Sequence, residues 1–398
     1  MAIYNHCLGS KFNKQRIMIK KLLKWIGIII LTIVVGFCVY AFATGKTYVF
    51  KALVYNYVNI DDLDLFDHSA VAVGERKEWP LSANYNKKLM SDVLFQRLDS
   101  LRTVAFVVIK NDSLVYEKYW ENYSDSSLSN SFSMAKSIIG ILVGTAIEEG
   151  KIKSLDQKVG DFIPEFKTGT RAQLTLRHLI TMSADLNWDE GYASLISPTT
   201  ESYYGTDLLK LVTNVEVVNE PGKVLNYQSA CTQLLGIAVQ NATGKKISQY
   251  ASEKLWKPLN AVHNAEWSLD HEDGLEKMYC CFYSNARDFA RIGSLFLHEG
   301  NWHGKQLLDS SFVKESITPA PILDRGQPNK IYGYQWWIDE YDGVKIYYCR
   351  GILGQYIVVI PSENIVFVRL GHMRGEKLSD GSLTDMPIYV KEVLQWTK

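Results

Sequence analysis

The chain has 398 residues, 47% of them hydrophobic and 22% charged, with 43 cationic and 43 acidic side chains that cancel to a formal charge of zero. This is globular composition, neither disordered nor fibrous. No basic face stands out, which excludes nucleic acid as an expected partner.

The amino terminus differs from the rest. Lys11, Lys14, Arg16, Lys20, Lys21 and Lys24 fall within the first 25 residues, with no acid among them. Trp25 to Ala43 then runs without a charge, long enough to span a bilayer core of ~30 Å as a helix. Two readings remain open. One is a permanent anchor over 25–44, with 1–24 as a cytoplasmic basic segment and everything beyond Gly45 outside, as the positive flank requires. The other is a cleaved signal peptide, because Ala41-Phe42-Ala43 matches an A-x-A site and would release a secreted protein. The length of the apolar run favours the anchor, which makes the lipid bilayer a partner and the cell membrane the location. Phe37 before Cys38 is too bulky for lipoprotein processing.

About 350 residues remain, enough for one large domain or two closely packed ones. Residues 45–100 read as a polar, aromatic-dotted lead-in arm. Leu101 to Ile109 and Ser113 to Tyr119 read as a hairpin around Lys110-Asn111-Asp112. Ser133 to Glu149 reads as a helix stopped by Gly150, and its apolar residues cover nearly the whole circumference, so it belongs in the interior. The middle is helical: Leu176 to Met182, Thr206 to Val212, Ala230 to Asn241, Ile247 to Trp256 and Ser284 to Leu297. Strands return at Tyr332 to Asp339, Val344 to Arg350, Tyr356 to Ile360 and Ile365 to Leu370, and a helix near Pro387 to Trp396 closes the chain. The fold class is therefore α+β. One antiparallel sheet is built from N- and C-terminal strands and flanked by helices, beside a mostly helical subdomain of about 160–280.

Three motifs carry chemistry. In Ser133-Met134-Ala135-Lys136 the Ser hydroxyl and the Lys amine lie on one helical face. A Ser hydroxyl needs a base to become a nucleophile, and a Lys in an apolar helix has its ammonium form destabilised toward a useful base. In Asn226-Tyr227-Gln228-Ser229, Tyr227 and Ser229 point into one cleft from a turn, and a Tyr near a cation can relay a proton. In Cys349-Arg350-Gly351-Ile352-Leu353-Gly354-Gln355, glycine lets a strand backbone approach a substrate carbonyl and supply an oxyanion donor facing Ser133. No metal or organic cofactor is required. The cysteine spacing fits no zinc site, and disulfide pairing stays open.

Taken in order, the three motifs resemble the penicillin-recognising serine hydrolases, which include class C β-lactamases, penicillin-binding proteins and related esterases and amidases. The resemblance covers roughly residue 100 to the carboxyl terminus. Leu176-Arg177-His178-Leu179, Asn285-Ala286-Arg287-Asp288 and Tyr332-Gly333-Tyr334-Gln335-Trp336 add to it. It is nearest to the 6-aminohexanoate-dimer hydrolase branch, on Tyr227-Gln228-Ser229 and Gly351-Ile352-Leu353-Gly354-Gln355. It implies a β-lactamase/transpeptidase-like fold over 101–398 and cleavage of a small-molecule ester or amide through an acyl-enzyme on Ser133. Lys136 and Tyr227 are then the proton-transfer pair, with Ser229 assisting. The backbone N–H groups of Ser133 and Ile352 form the oxyanion hole, and Tyr192 contacts the leaving group from a loop. Cys349-Arg350 replaces the Lys-Thr of β-lactamases, so a carboxylate would meet Arg350 instead, which argues against β-lactam hydrolysis. Two other readings fit the same resemblance: a non-catalytic receptor for acyl ligands, and a cell-wall D-alanyl peptidase.

Overall fold

The computed structural model describes residues 2–378 and 381–397, with side chains from residue 15 onward. The chain forms two compact units that divide after Asn56. In the first, α1 (Ala2–Ala43) is one continuous helix, so the basic stretch and the apolar run share an axis. Its segment Gln15–Ala43 contains an 18-residue window with a mean hydropathy of 2.7 and is long and apolar enough to cross a membrane. A short helix, α2 (Tyr48–Tyr55), turns back so that Phe50 stacks on Phe37 and Phe42.

The second unit is α+β. Its main sheet has six antiparallel strands. Two come from the start of the unit, β2 (Thr103–Lys110) and β3 (Ser113–Tyr119). Four come from the end: β7 (Trp337–Tyr341), β8 (Val344–Gly351), β9 (Gln355–Ile360) and β10 (Ile365–Gly371). The spatial order is β7-β8-β9-β10-β2-β3. One row across it reads Trp337, Tyr348, Val358, Phe367, Val108, Tyr116. That face is covered by α3 (Asp92–Ser100) and the closing helix α12 (Met386–Thr397), through Leu94, Leu98, Tyr389, Val390 and Val393. The opposite face receives α10 (Ala286–Leu297), where Gly293 lies directly against Val366, Ile357 and Val359. Both faces are buried, which is why β2 from Val104 to Ile109 and β10 from Ile365 to Val368 are apolar runs with no alternation.

Two features depart from the sequence reading. A second antiparallel sheet is present, in the order β1 (His68–Val71), β5 (Ala265–Ser268), β6 (Phe282–Ser284), β4 (Ser129–Asn130). Strands of this length carry too little periodicity to be read. The expected strand from Tyr332 starts only at Trp337. Gln335 has φ +63° and is buried, its amide bonded to the Ile180 carbonyl and to Thr232, so Tyr332 to Trp336 cannot run extended.

The helical layer holds α4 (Ala135–Glu148), α5 (Leu176–Ile180), α6 (Pro198–Tyr204), α7 (Leu208–Thr213), α8 (Ser229–Thr243), α9 (Ile247–Ala251) and α11 (Ser310–Ser316). Every α4 residue from Ala135 to Ala146 is buried, as its all-round apolarity predicts. The expected helix Ile247–Trp256 is α-helical only to Ala251 and continues as a π-helical turn, Ser252–Trp256.

Candidate active site

Ser133 stands in a 3₁₀ turn, Phe132–Met134, that runs into α4. Phe132 has φ +44°, a conformation costing of order 1–3 kcal/mol for a bulky residue that persists only where the surroundings impose it. Here they do. Phe132 N donates to Asn130 Oδ1 at 2.8 Å, and Ser131 N donates to the Phe282 carbonyl at 2.9 Å. The turn leaves Ser133 partly exposed at the head of a buried helix.

One turn on, Lys136 is 1% exposed. Its Nζ lies 3.2 Å from Ser133 Oγ, 3.1 Å from Ser229 Oγ and 2.8 Å from the Tyr279 carbonyl oxygen. Burial pushes its pKa down to about 8, opposed chiefly by the negative charge of Glu190. At pH 7 about a tenth of Lys136 is then the neutral amine.

The partners decide where that amine points its lone pair. A carbonyl only accepts, so Tyr279 takes one N–H. Ser229 Oγ donates its own proton to Glu190 Oε1 at 2.6 Å, so toward Lys136 it too accepts. A neutral amine has two N–H bonds and one lone pair. With both N–H bonds engaged, the lone pair faces Ser133 Oγ. Glu190 is fixed in turn by Ser229 N (2.7 Å), Trp188 Nε1 (3.0 Å) and Tyr192 OH (2.7 Å). Ser229 opens α8, so this carboxylate also sits at a helix N-terminus, where negative charge is favoured.

The Tyr227 ring lies 5.3 Å from Lys136 Nζ. Burial raises the Tyr227 pKa, and a bond to Ser133 partly offsets the rise, so its phenol is a neutral donor at physiological pH. Its ring stacks on Trp337 at 5.3 Å, and the Arg350 guanidinium covers the same Trp337 at 3.7 Å. Arg350 Nη1 is 3.5 Å from the Gly381 carbonyl.

The third motif closes the site. A side chain at Gly351 would put its Cβ 2.2 Å from the Ser131 carbonyl oxygen. The strand end therefore meets the turn that carries Ser133 at a distance only glycine allows. Beyond it, Ile352–Gly354 forms a tight turn with Leu353 at φ +61°. Buried Arg369 holds it, with Nη1 donating to the carbonyls of Leu353 (2.9 Å) and Gly354 (2.8 Å). Gln355 Nε2 donates to the Ile352 carbonyl at 3.1 Å.

The structure thus brings Ser133, Lys136, Tyr227 and Ser229 together and seats Gly351, followed directly by Ile352, against Ser131 and Phe132 of the same turn. Arg350 joins through Trp337, and Tyr192 through Glu190, with half its surface open to solvent. Cys349 is buried, and its thiol is pushed up to about 12 by that burial. Two site residues escaped the sequence reading. Glu190 lies two residues before Tyr192 in the same loop, and Tyr279 meets Lys136 with its carbonyl and with its ring, whose centroid is 5.3 Å from Nζ. The adjacent cysteines Cys280 and Cys281 form a disulfide. Among the described residues no cluster of His, Cys, Asp or Glu is arranged to hold a metal.

A Ser-x-x-Lys helix, a Tyr-x-Ser turn and a glycine strand end at the junction of a helical layer and an antiparallel sheet define a penicillin-recognising type of hydrolase fold. A beta-lactamase family model matches residues 91–380, and the chain belongs to that family. It is 25% identical over 295 residues to the 6-aminohexanoate-dimer hydrolase of Paenarthrobacter ureafaciens, spanning 70% of this chain and 74% of that one. A Bacillus anthracis protein assigned as a 6-aminohexanoate-dimer hydrolase superposes with a TM-score of 0.74 at 22% identity, over 85% of this chain and 92% of its own. A family VIII carboxylesterase superposes with a TM-score of 0.61 at 14% identity, over 80% and 98%. The relatives include hydrolases of amides and esters.

Proposed function

We propose that this chain is a serine hydrolase cleaving a carboxylic ester or amide by two-step acyl transfer. Ser133 Oγ attacks the carbonyl and its proton passes to the Lys136 amine. The backbone N–H groups of Ser133 and Ile352 stabilise the oxyanion. Lys136, with the Tyr227 phenol, returns the proton to the departing alcohol or amine, leaving an ester on Ser133. Water then attacks that ester along the same proton path in reverse. Ser229 and Glu190 hold Lys136 in register. Gly351 admits the substrate carbonyl, Arg350 faces an anionic part of the substrate, and Tyr192 borders the leaving group.

The observation that carries this reading is the buried Lys136, whose Nζ lies 3.2 Å from Ser133 Oγ while it also bonds the Tyr279 carbonyl and Ser229 Oγ. The amide named in the Paenarthrobacter relative supports a linear amide as one substrate type. The apolar helix Gln15–Ala43 behind a basic flank supports a membrane anchor with the catalytic unit outside the cytoplasm. The test is turnover of p-nitrophenyl esters and short linear amides. Ser133→Ala should abolish it while the circular dichroism spectrum and melting temperature stay unchanged. Equal turnover in that variant overturns the reading.

A further inference from the structure

The segment from Lys277 to Phe282 is tied down at nearly every residue. Lys277 Nζ donates to the Tyr203 carbonyl at 2.7 Å, and Met278 N to Gln233 Oε1 at 2.8 Å. Ser202 Oγ donates to the Tyr279 hydroxyl at 2.8 Å. The Cys280 carbonyl receives Trp267 Nε1 and the Cys281 carbonyl receives Ser268 N, both at 3.0 Å. Two further carbonyls reach the catalytic motif. Tyr279 holds Lys136 Nζ, and Phe282 holds Ser131 N at the start of the nucleophile turn. The Cys280–Cys281 disulfide lies between those two carbonyls.

A disulfide ordinarily stabilises a fold by restricting the unfolded chain, and the effect grows with the loop it closes. Adjacent cysteines close no loop, so this source of stability is absent. The cross-link acts locally, closing a small ring through the peptide bond between the two residues and fixing the direction of the backbone on either side. Cys281 lies at φ +63°, in the left-handed region that favours glycine. Both cysteines are buried, at 4% and 0% exposure, so neither sulfur is placed to meet substrate.

We propose that the Cys280–Cys281 disulfide is a positioning element of the active site, aiming the Tyr279 carbonyl at Lys136 and the Phe282 carbonyl at the nucleophile turn. The inference rests on the assignment of Lys136 as the base of Ser133. Without the cross-link the Tyr279 carbonyl is free to turn, one N–H of Lys136 loses its fixed acceptor, and the lone pair is no longer held toward Ser133. The wall over Lys136 also loosens. Burial is the largest influence on this amine, so admitting water returns it toward an ordinary lysine. The other titratable groups facing it, Glu190, Tyr227 and Cys231, lie outside this segment, and the Tyr279 phenol keeps its bond from Ser202.

The test uses the full chain in detergent. Peptide mass spectrometry of the wild type should find the Cys280–Cys281 peptide two hydrogens lighter than its dithiol form. Two variants remove the link: Cys280→Ser with Cys281→Ser, and Cys281→Gly, which suits φ +63° and so preserves the backbone. Rates are normalised to the number of sites titrated by a fluorophosphonate, so that loss of folded protein does not count as loss of catalysis. Both variants should lose about tenfold in kcat with KM within about twofold. The acid limb of kcat/KM should move upward by about one pH unit. Two free thiols in the wild type, or a normalised kcat and acid limb equal to wild type in the variants, overturn the proposal. Wild-type turnover in Ser133→Ala would instead overturn the hydrolase reading beneath it.

Discussion

Replacing Glu190 by Gln tests the electrostatics of the site with little change of shape. The carboxylate accepts from Ser229 twice, from Trp188 and from Tyr192. Bonds of 3.1 and 2.6 Å link Lys136 Nζ to it through Ser229 Oγ. That relay puts the two charges within about 6 Å, where an effective dielectric of about 20 gives at least about 3 kcal/mol of stabilisation to the ammonium, or about two pH units. Glu190 is partly reached by solvent, and screening reduces the effect to about one unit. The sign follows from Lys136. Burial holds its pKa down at about 8 and Glu190 opposes that shift, so removing the charge lets the pKa fall further. The acid limb of kcat/KM, measured on a p-nitrophenyl ester from about pH 5 to pH 10, should move down by about one unit. The plateau should fall as well, because a Gln amide can donate to Ser229 Oγ and turn its proton toward Lys136. A limb that stays in place, or moves upward in a folded variant, refutes the assignment of Lys136 as the base and Glu190 as its partner.

Other substitutions separate stability from catalysis. Lys136→Met should inactivate the protein yet stabilise it near pH 7. The folded amine titrates at about 8 against an ordinary 10.5, so the burial penalty on the ammonium is complete below pH 8 and disappears as pH rises through that window. The net gain, after loss of the three hydrogen bonds, should be about 1–2 kcal/mol at pH 7, reach zero near about pH 9 and become a loss of about 1–2 kcal/mol by about pH 10.5 in urea melts. Arg287→Ala should lose about 3–5 kcal/mol in the same assay by leaving Glu117 buried without its cation. Burial raises the Glu117 pKa, but bonds from Arg287, Tyr85 and Tyr119 outweigh it and hold the carboxyl below its usual range. The stabilisation in the wild type is therefore present above the ordinary carboxylate pKa and fades as pH falls through the lowered value. Arg350→Ala should raise KM about tenfold for a linear amide bearing a free carboxylate and leave a neutral ester within about twofold.

Much of this site was legible because its motifs are local. Ser133 and Lys136 share a helical face, and the apolar residues around Lys136 announce its burial. The Gly351 approach and the Tyr227 turn follow from residue type and position. What escaped the sequence depends on contacts that sequence distance hides. Glu190 reaches Ser229 across 39 positions, and nothing in its loop marks it as anything but a solvated acid. Tyr279 contributes a carbonyl, which every residue has. Cys280 and Cys281 were visible as a pair, but only the fold sets them between two carbonyls that bind Lys136 and Ser131. Within residues 45–100, read as a lead-in arm that packs, β1 extends the second sheet and α3 covers the main one. Their apolar positions, Val71, Leu94 and Leu98, are too sparse to show a period. Gln335 is the opposite case, a buried amide whose bonds break a strand that its aromatic neighbours favour.

The most direct measurement is covalent labelling of the full chain with a fluorophosphonate, with the adduct located by peptide mass spectrometry. The account predicts one adduct, on Ser133, lost in Lys136→Ala and slowed in Glu190→Gln at alkaline pH. A folded wild type that takes no label, or takes it on another residue, contradicts the claim that Lys136 activates Ser133.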